Sequence, residues 1–358
     1  MNEPAADALQ KAPPKLEIST SRGFEAWLAS AGVSLAFTTY QAGKLFLIGR
    51  QPSGRMSVFE RTFERCMGLH ATPQTLWMTS IYQVWRFENA LEGEQTQDGY
   101  DAVYIPQVAY TTGDLDIHDL APGADGKPVF CATLFNCLGT LSETHSFTPI
   151  WRPPFISRLA AEDRCHLNGL AMDDGKPAYV TMVSRSDVVD GWRDRRSDGG
   201  LVMDVATGEV VADGLSMPHS PRLANGKLYL LDSGAGRFGA VDPANGQFEE
   251  ICFCPGFARG LSIHGDYALI GLSLPRENRT FSGLPLDDAL KERDAAPRCG
   301  LIVVDLKTGD SIHWIRIDGI VTEIYDVALI PGLTRPMAIG TRADDIKRMV
   351  SLEPSALT

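Results

Sequence analysis

Residues 165–182 read CHLNGLAMDDGKPAYVTM: a short apolar strand, a polar turn and a second β-rich strand. Five other segments follow the same plan. Aligned on Leu170, they are RCMGLHATPQTLWMTS with Leu69 at the anchor, DIHDLAPGADGKPVFCAT with Leu120, HSPRLANGKLYLLD with Leu223, FARGLSIHGDYALIG with Leu261 and EIYDVALIPGLTRPMAIG with Val327. The anchors fall 51, 50, 53, 38 and 66 residues apart. A repeat of this length, built from strands and turns with hardly any helical periodicity between them, predicts the blades of a β-propeller.

The chain of 358 residues is 44% hydrophobic, enough to bury a large core, and its length alone would suggest two domains. The repeat replaces that expectation with one closed ring over residues 17–358, preceded by a disordered lead-in at 1–16 rich in Ala and Pro. A net charge of −12 argues against nucleic acid and anionic membranes as partners, since either needs a basic face. The N-terminal MNEPAADALQKAPPK has no apolar core of signal-peptide length, and no later run approaches a membrane span, so a cytoplasmic protein is expected. Seven cysteines, an odd number scattered through apolar strands without a CxxC pair, read as buried free thiols.

Along the chain, GFEAWLASAG (23–32) predicts a short helix, with Ser21 as N-cap and Gly32 just past its end. LAFTTY, KLFLIGR and MSVFERTF then form a blade fragment without an innermost strand. The repeat around Val327 has inner strands and then only IKRMVSLE as a candidate outer one, so the N-terminal strands are expected to complete the ring beside it. Six innermost strands, beginning near residues 67, 118, 168, 221, 259 and 325, favour six blades over the alternative of seven. Asp204 to Gly208, Asp242 to Gly246 and Asp305 to Gly309 repeat a hairpin chemistry in which Gly takes the left-handed position, as four-stranded blades require. Long loops at 136–155, 184–199 and 275–298 are read as joining second and third strands, on the face where the innermost strands begin.

The residues that open the innermost strands converge towards the axis of a closed ring. His118, His166 and His219 with Asp116, Asn168 and Glu323 suit a divalent metal such as zinc or calcium. The same residues also suit a polar plug whose members satisfy one another, or an organic anion site. Arg222 and Arg259 can hold a carboxylate or phosphate bidentately, or pair with Asp119, Asp326 or Glu323. Tyr325 is a candidate acid or base, Arg65 a candidate substrate contact, and Trp151 in the rigid WRPP run either a wall of the binding face or loop packing. GAGRFG (234–239) matches the dinucleotide-binding glycine pattern, but AVDPANGQ continues into a strand and turn where that pattern needs a helix.

HLNGLAMDDGKPAYVT resembles the NGL-type strand of the gluconolactonase, regucalcin and strictosidine-synthase-like six-bladed propellers, a resemblance that implies Asn168 as a metal ligand. That family's later Asp-Gly segment is replaced here by MPHSPR (217–222). Six-bladed lyases that bind zinc through three His and use Tyr and Arg are similar in site composition. Over nearly its whole length the chain is identified as a member of a bacterial family of uncharacterised propeller-like proteins, a domain of unknown function. The segments that carry this are TTYQAGKL (38–45), SFTPIWRPPFIS (146–157), EDRCHLNGLA (162–171), GLSMPHSPR (214–222), GFARGLSIHGDYALIGLSLPREN (256–278) and EIYDVALIPG (323–332).

Two functions follow from the site. One is a metal-assisted hydrolase or lyase for a small polar or anionic substrate at the channel mouth, with Arg259, Arg222 and Tyr325 as catalytic residues and Arg65, Asn168 and Trp151 in contact with substrate. The other is a non-catalytic propeller that holds a small ligand or peptide over a structural plug. The loop at 275–298 contains a helical stretch, LDDALKERD, and is expected to close over the mouth as a partial lid with Leu284 and Leu286 inward. On that expectation, shortening it leaves stability nearly unchanged.

Overall fold

A computed structural model describes residues 15–275, 282–342 and 344–352. Six small sheets stand around one axis as six blades, and the alternative of seven falls away. Blade I takes its inner strand from the C-terminal side, Val327–Pro331, and its outer three from the N-terminal side, Val33–Thr39, Lys44–Arg50 and Met56–Thr62. The pairing runs antiparallel from Val33 opposite Pro331 to Phe37 opposite Val327, so the closure joins the two ends of the chain as expected. Blade II comprises Leu69–Ala71, Thr75–Thr79, Gln83–Asn89 and Ala102–Thr111; blade III comprises Ile117–Pro122, Pro128–Ala132, Cys137–Thr140 and Thr148–Trp151. Blade IV is Leu167–Asp173, Lys176–Met182, Gly200–Asp204 and Val210–Leu215, and blade V is Pro218–Ala224, Lys227–Asp232, Arg237–Val241 and Phe248–Phe253. Blade VI is Phe257–His264, Tyr267–Ser273, Gly300–Asp305 and Ser311–Asp318. Each inner strand contacts the next, and Val327–Pro331 contacts Leu69–Ala71 to complete the circle.

The segments at the chain ends do more than the sequence reading assigned them. Glu17–Thr20 adds a fifth, antiparallel strand to blade VI. Pro336–Ala338 adds a parallel one to blade II. The expected outer strand IKRMVSLE does not form; Asp344–Lys347 is a 3-10 turn instead. The helix, Phe24–Ala31, buries Phe24, Trp27 and Leu28 over the seam between blades VI and I, against Leu35, Phe46, Leu301 and Ile315. Gly32 closes it in the left-handed region at φ 62°, while Gly23, not Ser21, stands at its N-cap. The lead-in expected at 1–16 lies outside the described residues except for Lys15 and Leu16.

The three Asp-to-Gly hairpins form as read, with Gly208, Gly246 and Gly309 donating to the carbonyls of Asp204, Asp242 and Asp305 at 2.9, 2.8 and 2.8 Å. The segment 136–155 is corrected. It holds the third and fourth strands of blade III, Cys137–Thr140 and Thr148–Trp151, with Leu138 paired to Trp151 across a hairpin. The GAGRFG run becomes a 3-10 turn, Ser233–Ala235, followed by a strand, as argued.

Hydroxyl side chains near the end of the second strands lock neighbouring blades together. Thr38 donates to Met67 O at 2.5 Å, Thr79 to Ile117 O at 3.3 Å, Thr133 to Leu167 O at 2.6 Å and Ser273 to Ile324 O at 3.0 Å. Each caps a carbonyl at the head of the next inner strand, where a lone backbone acceptor would otherwise be buried unpaired. All seven cysteines are free, and all but Cys252 are buried. No helix among the described residues is long and apolar enough to cross a membrane.

Candidate functional site

Immediately before the six anchors stand Gly68, Asp119, Gly169, Arg222, Gly260 and Asp326, so glycine alternates with a charged residue around the ring. The alternation builds a plug on the axis. Arg222 donates to Asp119 at 2.7 and 3.1 Å and to the carbonyls of Pro221, Leu170 and Leu261 at 2.9, 3.0 and 3.0 Å. Asp326 lies 3.8 Å from the guanidinium. Asp119 and Asp326 also accept the backbone N–H of Leu170 and Leu69, the anchors of the next blades, at 3.0 and 2.8 Å. The glycines make room for this: at Gly260, with φ +74°, an added Cβ would stand 2.7 Å from the Asp326 Cα. Burial, and then the adjacent Asp119 carboxylate, raise the pKa of Asp326 well above the ordinary carboxylate range.

The plug divides the channel into two mouths. On one side lies an apolar vestibule of about 290 Å³, walled by anchors such as Leu120, Leu170 and Leu261 and bordered by Arg222 and His70. On the other, where the inner strands begin, a polar cavity of about 140 Å³ is lined by Tyr40, Asp116, His118, Asp163, His166, Trp192, Arg193, Met217, Arg259 and Tyr325.

The polar cavity gathers five of the expected residues, Asp116, His118, His166, Arg259 and Tyr325. His118 and His166 stand edge to face with ring centroids 4.7 Å apart, and His219 lies behind them, 6.5 Å from His118. Each ring is anchored through Nδ1: His118 to Asp116 O at 2.9 Å, His219 to Met217 O at 2.8 Å, and His166 to the Asp163 carboxylate at 2.9 Å. An Nδ1 that faces a carbonyl must carry the proton, which leaves Nε2 as the acceptor on His118 and His219. His219 Nε2 and Asn168 Nδ2 are buried with no hydrogen-bond partner among the described residues. Burial holds the His118 imidazole down to about 4, helped by the charges of His166 and Arg259 against the pull of Asp116. Burial and Arg259 keep His219 well below its ordinary value too. Both rings are therefore neutral at physiological pH.

Arg259 is buried, with its guanidinium 4.9 Å from the Tyr325 ring centroid and 5.3 Å from that of Phe257. Tyr325 stacks on Tyr40 at 5.5 Å, and Arg65, paired to Asp114, lies 5.7 Å over the same Tyr40 ring. Arg65, Asp116 and His166 all adopt left-handed backbone, at φ 50°, 51° and 54°, in matched positions of three successive repeats. Non-glycine residues hold that conformation at a cost, and such strain gathers where side chains must be aimed.

Six expected residues lie outside its lining, among them His219, behind His118, and Arg65, over the Tyr40 ring. Arg222 belongs to the plug and the vestibule, Asn168 is buried with Thr181 Oγ1 donating to its Oδ1 at 2.8 Å, and Glu323 is buried outside the cavity lining. Trp151 packs on the core between blades III and IV and does not reach the mouth. Conversely, Tyr40, Asp163, Trp192, Arg193 and Met217 line the cavity without having been expected there. Trp192 and Arg193 come from the long loop at 184–199, whose length was the available signal. No group of three or more His, Cys, Asp or Glu among the described residues is arranged to hold a metal ion. No step below runs through a metal.

The helix Pro285–Glu292 covers one flank of this mouth. Leu284, Leu286 and Leu290 are buried in one cluster with Val183, Trp192, Met217 and Phe257, so two walls of the cavity lean on it.

No curated protein matches the sequence. Among solved structures the chain is similar to one in a nidogen/laminin complex, at 11% identity over 84% of this chain and 99% of that one, with a TM-score of 0.49. It is similar to a protein of unknown function from Bacteroides caccae at 12% identity, 84% and 99% coverage and TM-score 0.49. A third similarity, to virginiamycin B lyase from Staphylococcus aureus, has 11% identity, 86% and 100% coverage and TM-score 0.39. None of the three carries an activity across to this chain. The model of DUF4915, a domain of unknown function, matches residues 22–339, and the chain belongs to that family.

Proposed function

We propose that the polar mouth binds a small anionic molecule through Arg259 and turns it over by acid–base chemistry, as a hydrolase or lyase. One observation carries the reading. Two imidazoles, each tethered at Nδ1 and free of hydrogen bonds at Nε2 among the described residues, face one cavity with a buried guanidinium and the Tyr325 phenol. A buried guanidinium is a strong partner for carboxylate or phosphate, and a neutral imidazole beside it can take a proton from substrate or water. The volume of about 140 Å³ admits a small organic acid and is too small for a folded peptide segment. Free thiols throughout suit a reducing compartment, which supports a cytoplasmic setting.

The test is calorimetric titration with malonate, citrate and inorganic phosphate, on the wild type and on Arg259→Gln. At least one probe is expected to bind the wild type and to lose at least tenfold in affinity in the variant. Absence of binding for all three, or equal affinity in both proteins, contradicts the proposal. Binding without turnover of any ester, lactone or hydroxy acid offered would move the assignment to the non-catalytic ligand-binding propeller.

A further inference from the structure

We infer that Asp163 is a positioning residue that makes His166, rather than His118, the proton acceptor of the polar mouth, and that Trp192 fastens this pair to the loop at 184–199. The inference rests on the acid–base reading above.

Both carboxylate oxygens of Asp163 meet His166 Nδ1, at 2.9 and 3.1 Å. The same carboxylate accepts the Trp192 indole N–H at 2.8 Å, and the indole stacks on the His166 ring at 4.2 Å between centroids. A carboxylate accepts only, so Nδ1 carries the proton and, in the neutral ring, Nε2 is the lone pair. Stacking and two hydrogen bonds fix ring plane, tautomer and direction together. Two left-handed residues, Asp163 at φ 40° and His166 at φ 54°, bend the chain so that the two side chains meet.

The neighbouring imidazole lacks this support. His118 Nδ1 meets the Asp116 carbonyl and the Thr133 hydroxyl, and the Asp116 carboxylate is at 3.7 Å. With its basicity lowered by burial, His118 is a poor acceptor, since a base of low pKa has little driving force for proton transfer. When His166 takes a proton on Nε2, the Asp163 carboxylate stabilises the imidazolium without itself being protonated. Burial alone would raise the Asp163 pKa, but the adjacent His166 and the indole N–H bring it below its ordinary value, so it is ionised throughout.

The same geometry ties proton transfer to the loop. Trp192 is buried against Leu286 and Leu290 of the covering helix, so the dyad is complete only when loop and helix are packed.

The experiment is a long-range 1H–15N correlation spectrum of the imidazoles in the ligand-free full-length protein at neutral pH, for the wild type, Asp163→Asn and Trp192→Phe, with melting curves to confirm folding. The wild type is expected to show His166 protonated on Nδ1 with an acceptor-type Nε2 shift. In Asp163→Asn the Nε2 signal should move towards the N–H type, because the amide can donate to Nδ1. Trp192→Phe, which keeps the stacking and deletes the indole donor, leaves an acceptor-only carboxylate at Nδ1 and should keep the wild-type tautomer. A wild-type His166 protonated on Nε2, or a folded Asp163→Asn with the wild-type pattern, overturns the inference. If Asp163→Asn does not fold, the wild-type tautomer decides alone. Because no anion is present, failure here leaves Arg259 binding standing, and failure of anion binding leaves this result readable.

Discussion

Replacing Asp119 with alanine should damage the ring from its axis outwards. Arg222 places two of its five N–H groups on Asp119, and the carboxylate also accepts the Leu170 N–H. Removing it leaves a mostly buried guanidinium and an orphaned backbone donor. Breaking a buried pair on one side costs about 3–5 kcal/mol, and an unsatisfied donor about 1–3 kcal/mol. Two facts pull the sum down. The Arg222 side chain is 23% exposed, and Asp326, at 3.8 Å, loses its like-charge neighbour and can ionise in compensation. The net expectation is a loss of about 3 kcal/mol, on the order of a 5 °C fall in melting temperature for a chain of this size. The assay is a thermal melt of Asp119→Ala, Arg222→Met and the double variant. The double variant should be more stable than the sum of the singles implies, by at least about 1 kcal/mol, since removing both partners leaves no lone charge. A single-variant loss under about 0.5 kcal/mol, or strict additivity, would refute the plug.

Two further outcomes are expected. His118 titrates near 4 in the folded chain against about 6.5 unfolded, so the unfolded state takes up the proton first as pH falls through that window. Its contribution is full above about pH 6.5 and disappears towards pH 4, and amounts to about 3 kcal/mol. His70, also lowered to about 4, acts in the same direction, while Asp326, raised to about 7, acts against it as pH falls from 7. The check is therefore residue-resolved: the His118 ring carbon shifts in NMR should stay those of a neutral imidazole down to about pH 5, and a midpoint near 6.5 would contradict the burial argument. Leu286→Ala should cost about 2–4 kcal/mol in denaturant melts, because the side chain is 2% exposed against Trp192 and Phe257. An unchanged midpoint would restore the sequence-level expectation that the loop can be shortened without loss.

Blade number and ring closure were legible because each inner strand repeats an anchor with the same apolar spacing and the outer hairpins of blades IV, V and VI repeat an Asp and a Gly. The convergence of His118, His166 and His219 on one face was legible for the same reason: matched register places matched residues at one level of a ring. The alternation of Gly68, Gly169 and Gly260 with Asp119, Arg222 and Asp326 was written in the aligned copies too, and it explains why Arg222 serves the plug and not the mouth. Trp192, Met217 and Asp163 were not legible. Their positions depend on loop paths and on left-handed residues such as Asp163 and Met217, at φ 40° and 47°, which no hydrophobic period encodes. The outer strands of blade III lack the Asp and Gly of the hairpins in blades IV, V and VI, and Thr148–Trp151 holds Pro149, which a strand tolerates at an edge, as here.

The most direct measurement is a crystal structure grown in malonate, with diffraction recorded on both sides of the zinc absorption edge. The account predicts malonate in the polar mouth, one carboxylate against the Arg259 guanidinium and the other end within hydrogen-bond distance of the His166 Nε2. Malonate bound only elsewhere, an empty mouth, or an anomalous peak bridging the Nε2 atoms of His118, His166 and His219 would contradict it.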